Sequence, residues 1–106
     1  MEEKPNLNYV NTLSDGDESI RQKLITILKE EYPQEQESYY KASLSLNFIE
    51  MAECVHKLSH KIGFLGLEED HFKAQLFEEN LRNGSVQNQI DFEKCLDKIE
   101  NFISKL

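Results

Sequence analysis

The chain is short of positive charge, of cysteine and of long apolar runs, and each shortage removes a class of function. Twelve lysines and arginines face 20 acids, a formal charge of −8 at neutral pH. Such a field repels a nucleic-acid backbone and an anionic membrane surface, so the expected partner is a protein. No stretch approaches the roughly 20 apolar residues that a membrane span requires, and the Met-Glu-Glu-Lys start lacks the basic region and apolar core of a signal peptide. A cytoplasmic location is expected. Cys54 and Cys95 have neither a Cys-x-x-Cys spacing nor a matching histidine pair, which predicts two reduced residues and no metal site. A glycine-rich phosphate loop is missing as well, and no acid cluster is suited to holding nucleotide and metal, so no kinase or ATP-binding domain is expected. No segment alternates apolar and polar residues, with β-branched enrichment, over more than a few positions, so no strand is predicted.

What is present is helical periodicity in one domain. A chain of 106 residues buries roughly two thirds of its unfolded surface around a single core. Residues 1–12 are polar and read as a loosely attached arm, which Tyr9, Val10 and Leu13 could tie down; residues 13–106 form the helical body. Ser14-Asp15-Gly16-Asp17-Glu18 predicts a helix start with Asp15 as cap, and Ile20, Leu24, Ile27 and Leu28 supply its apolar stripe. Pro33 predicts a break and restart, because proline lacks the amide a helix interior needs. Asn47-Phe48-Ile49-Glu50 predicts a second capped start. Gly63 and Gly66 bracket that helix's end. A further helix runs from Leu67 to about Asn83, and a last one from Ser85 onward carries Val86, Ile90, Phe92, Leu96, Ile99 and Ile103. Short links between such helices predict an all-α, antiparallel, up-and-down four-helix bundle with a short N-terminal arm and a helix break near Pro33.

The chemistry concentrates in Val55-His56-Lys57-Leu58-Ser59-His60-Lys61-Ile62-Gly63-Phe64-Leu65-Gly66-Leu67. At about 100° per residue, Phe48, Met51, Ala52, Val55, Leu58, Ser59 and Ile62 share one apolar or small face. His56 falls roughly 110° from the middle of that face and His60 roughly 150°. One imidazole is thus expected at the rim and the other in solvent. Gly63, two turns after His56, is expected to leave open backbone beside that ring. His71 has no evident partner and reads as solvated. The His56/His60 pair has the spacing of zinc-binding helices, but no glutamate follows His56 directly and no third ligand is evident.

These residues resemble the histidine-containing phosphotransfer (HPt) domains of bacterial phosphorelays. The family pattern is His-x-Leu-Lys-Gly, then small residues, then Leu-Gly ten positions after the histidine. This chain reads His56-x-Leu58-Ser59-His60, then Gly63, then Leu65-Gly66, and the likeness extends over most of its length, including Leu-Ser-Asp-Gly-Asp at residues 13–17. It is most similar to the small free-standing proteins of the Bacteroidetes type. Ser59 stands where the family has lysine, and His60 where it has glycine.

The resemblance implies that His56 is the phosphoacceptor, modified on the ring nitrogen remote from the backbone and exchanging its phosphoryl group with aspartates of receiver domains. A hybrid sensor histidine kinase and response-regulator receivers would be the partners, the receiver would bring the Mg2+, and the protein would be a monomeric carrier with no cofactor of its own. Glu78, 22 residues after His56, occupies the place of a family residue that holds the ring. Phosphoryl transfer spreads negative charge over three oxygens, so Lys57, Lys61 and a protonated His60 are the expected positive edge, with Lys61 compensating for Ser59. A second reading with the same residues is a pseudo-HPt module that docks on receivers or kinases without carrying phosphate.

Overall fold

The computed structural model describes residues 3–106, and among them every regular element is a helix: α1 (Asn8–Ser14), α2 (Glu18–Leu44), α3 (Phe48–Phe64), α4 (Glu68–Arg82) and α5 (Gln89–Ser104). α3 packs against both α2 and α4, and α5 closes on α4 and α2, so one core runs between the four long helices. No helix among the described residues is long and apolar enough to cross a membrane.

α3 buries the face its periodicity predicts. Met51, Ala52, Val55, Leu58, Ser59 and Ile62 are buried and Phe48 is half-buried at the edge. Asn47 caps it by accepting from the Glu50 amide at 3.1 Å, while the Glu50 carboxylate takes the Asn47 side-chain amide at 3.2 Å. Its end is set by Gly66, whose φ of 80° allows Gly66 N to bond Gly63 O and Leu67 N to bond Ile62 O. The turn places Leu65 and Leu67 wholly in the core. Gly63 lies inside the helix and does not close it.

Four expectations need correction. Pro33 does not break the first long helix: α2 continues through it for 27 residues. Proline at 33 leaves the carbonyl of Lys29 without its helical donor, but the helix is anchored on both sides of the defect. Tyr32 is buried and donates its hydroxyl to Leu96 O at 2.9 Å, and Tyr39, also buried, donates to Glu93 Oε2 at 2.8 Å. Tertiary contact thus overrides the local break. These anchors also rotate the buried stripe to Ile25, Leu28, Tyr32, Tyr39 and Ala42, leaving Ile20 and Ile27 exposed.

The second correction concerns the N-terminal arm. Its first two residues lie outside the described ones, but the rest is docked. Val10 is fully buried in α1, the Tyr9 ring meets Phe64 edge-on at 5.2 Å, and Asn6 N donates to Leu65 O at 2.9 Å. Glu3 accepts from the amides of Glu69 and Asp70 at 2.9 and 3.3 Å, capping α4, which has no side-chain cap of its own. Lys98 of α5 adds bonds to Glu3 O and to the Asp70 carboxylate. The third correction is smaller. Asp17, not Asp15, caps α2, by accepting from Ser19 N and Ile20 N, whereas Asp15 closes α1 in the left-handed conformation.

The last helix begins at Gln89, later than its apolar pattern suggests, so Val86 precedes it and is exposed, as is Ile90. Both cysteines are free; burial, reinforced by the nearby Asp70 carboxylate, pushes the Cys95 thiol up to about 12.

Candidate functional site

His56 projects from the middle of α3 with its side chain 56 % exposed, on the rim the helical count predicts. Its Nδ1 lies 3.1 Å from Oε1 of Glu78 on α4. An ionised carboxylate only accepts hydrogen bonds, so the ring proton belongs on Nδ1. The lone pair is then on Nε2, the nitrogen remote from the backbone. Glu78 is itself held: its other oxygen, Oε2, accepts from Nε and an Nη of Arg82 at 3.2 and 3.0 Å, one helical turn further along α4. Its side chain is only 18 % exposed, so these contacts are less screened than ordinary surface pairs.

Around this line α3 and α4 leave an open groove of about 690 Å³, whose walls include His56, His60, His71, Gln75, Glu78 and Arg82. The His60 ring packs edge-on to His56 with centroids 4.9 Å apart. His71 is not the solvated residue the sequence suggests. Its Nδ1 donates to Ser59 O at 2.8 Å, which bridges the two helices and leaves its Nε2 without that proton in the neutral ring. Ser59 is buried, and its hydroxyl donates to His56 O at 2.6 Å, so a small residue here belongs to the packing of α3 on α4.

The other expected site residues separate from His56. Gly63 does not open backbone beside that ring; a Cβ there would lie 3.2 Å from Nδ1 of His71, so the missing side chain makes room for His71. Lys61 points to α2, where its ammonium meets Glu31 and Glu35 at 2.9 and 3.0 Å and is 15 % exposed. Burial draws its pKa down, but the hydrogen bonds and charges of those two acids outweigh this and leave it raised. An ammonium held by two carboxylates is not available as a positive edge for His56. Lys57 lines a different groove, between α2 and α3, with Gln34, Glu35, Ser38 and Cys54.

Compared with family models, curated proteins and solved structures, the chain has no match.

Sequence reasoning missed Arg82 and misjudged His71. The first had a signal, since an acid followed four residues later by a base, as Glu78 is by Arg82, makes a helical pair. The second had none, because the bond from His71 crosses between helices. Among the described residues no group of three or more histidines, cysteines or acids is placed to hold a metal ion. The arrangement can offer one unprotonated, accessible imidazole nitrogen to an electrophile, with a carboxylate behind the ring to balance the positive charge it acquires.

Proposed function

We propose that the chain is a phosphohistidine carrier of a two-component phosphorelay, an HPt protein in which Nε2 of His56 takes a phosphoryl group from a receiver-domain aspartyl phosphate and returns it to another receiver. The observation that carries this reading is the exposed His56 ring with Nδ1 against Glu78 at 3.1 Å. In the forward step the Nε2 lone pair forms the N–P bond while the P–O bond to the aspartyl carboxylate breaks. The ring keeps its Nδ1 proton and becomes cationic, and Glu78 compensates that charge. Histidine suits the task because its neutral form is abundant near neutral pH. The partner receiver supplies Mg2+ and the chain works in the cytoplasm without an ATP site.

The helices fit this role as an antiparallel four-helix bundle of α2 to α5. Links of three residues (45–47 and 65–67) and six residues (83–88) favour up-and-down neighbours. In that arrangement α3 presents His56 on its outer surface, where a receiver can approach.

A second reading, a docking module that binds receivers or kinases without carrying phosphate, is favoured by Ser59 and His60 at the family's lysine and glycine positions and by the engagement of Lys61 with α2. Incubation with a phosphorylated receiver and Mg2+ separates the two. The carrier acquires acid-labile phosphate and the His56→Gln chain acquires none. Label that persists in His56→Gln, or that never appears in the parent chain, overturns the carrier reading.

A further inference from the structure

We propose that Arg82 is a positioning residue for His56: acting through Glu78, it keeps the imidazole proton on Nδ1 and so leaves Nε2 free to attack. This rests on the reading of His56 as phosphoacceptor.

The two oxygens of Glu78 are divided between two tasks. Oε1 meets His56 Nδ1 at 3.1 Å, and Oε2 receives both the Nε and an Nη of Arg82 at 3.2 and 3.0 Å. A glutamate side chain has three rotatable bonds, and one hydrogen bond to an exposed ring does not fix them. The two-donor contact from a planar guanidinium does, because it sets the direction of the carboxylate as well as its place. The need for such a grip comes from histidine itself. A neutral imidazole side chain in water prefers its proton on Nε2, the tautomer in which the outward nitrogen has no lone pair to offer. Only a well-placed acceptor at Nδ1 reverses that preference. Once a phosphoryl group is on Nε2 the same carboxylate faces a cationic ring, and Arg82 keeps it from swinging out to solvent.

A stability role does not account for the contact. Arg82 is in the last turn of α4 and 44 % exposed, and the contact joins two residues of one helix rather than two helices, so the packing of the bundle does not rest on it. Removing it should leave the fold intact and disturb the ring.

The test uses the full chain with 15N-labelled histidine, on the alkaline side of the imidazole titration, where the nitrogen resonances report the tautomer directly. The same samples are then phosphorylated with phosphoramidate, a small donor that needs no receiver and releases ammonia as the N–P bond to His56 forms. In the parent, His56 should show a protonated Nδ1 and an unprotonated Nε2. In Arg82→Gln the population should move toward the Nε2-protonated form and labelling should slow about tenfold, the usual scale for losing a residue that orients a functional ligand. Arg82→Lys, which keeps the charge and loses the planar two-donor grip, should fall between them. An Arg82→Gln chain with the parent's tautomer overturns the proposal. If phosphoramidate labels no His56 even in the parent, the carrier reading fails, while the tautomer comparison still decides the role of Arg82.

Discussion

The seam between α3 and α4 and the seam between α2 and α5 use polar side chains in opposite ways. Between α2 and α5 they are enclosed: Tyr32 and Tyr39 are buried and each spends its hydroxyl on one partner across the seam, Leu96 O and Glu93. A groove of about 620 Å³ opens there too, but its walls include Tyr32, Pro33, Tyr40 and Ile103 and hold no imidazole. Between α3 and α4 the polar groups are graded from inside to outside. Ser59 is buried, Glu78 and His71 are half-buried, and His56 reaches solvent. The difference separates two uses of a hydrogen bond. An enclosed one holds the fold; a half-open one orients a group that another molecule can still reach.

That division can be broken from either side. The largest effect is expected at the open seam. Glu78→Ala should slow labelling of His56 about 10- to 100-fold and cost only about 1 kcal/mol by urea denaturation, since the donors it leaves behind, on His56 and Arg82, are open to solvent; a stability loss above about 2 kcal/mol with unchanged labelling would reverse the assignment. Next comes Pro33→Ala, which restores the amide facing Lys29 O within a continuous helix. It should stabilise the chain by about 2 kcal/mol, the usual cost of an interior proline less its entropic benefit in the unfolded state, and leave labelling alone. Tyr32→Phe should then cost about 1 kcal/mol by urea denaturation, again without touching His56. The same seam gives a pH limit. Burial first, then Cys95 and Glu100 at Tyr32 and Glu93 and Asp97 at Tyr40, raise the two hydroxyl pKa values, the latter to about 12. A raised folded value means that stability is complete below the unfolded pKa near 10 and is lost as pH climbs past it, so Tyr32→Phe should soften alkaline unfolding. The smallest effect is a coupling. In the parent, Gly63→Ala crowds His71 at 3.2 Å, offsetting a helix-propensity gain of about 0.5–1 kcal/mol. In a His71→Ala background the gain should appear, and a double-mutant cycle reading zero would deny the contact.

How much of this was readable beforehand follows the range of each interaction. The α3 face, the Asn47 cap and the turn at Gly66 come from neighbours within one or two turns, and composition and spacing announce them. Glu78 was reachable as a partner for His56 only through a family resemblance, since 22 residues separate them. Apart from the α2 cap, which falls on Asp17 instead of Asp15, and the later start of α5, the misjudged features are long-range. Lys61 looks like a site cation until α2 brings Glu31 and Glu35 to it, and Pro33 looks like a break until Tyr32 and Tyr39 anchor both sides. The arm looks loose because nothing local reveals that Glu3 will find the amides of Glu69 and Asp70.

That last contact has a kinetic consequence. The first turn of the helix carrying Glu78 and Arg82 is completed by a carboxylate 66 positions earlier in the chain. Hydrogen exchange at the Glu69 amide therefore times the release of the amino-terminal segment, and slow exchange there would mean that chain end and site helix open together. A tag or truncation that displaces Glu3 would be felt at α4 before any residue of the groove had been altered.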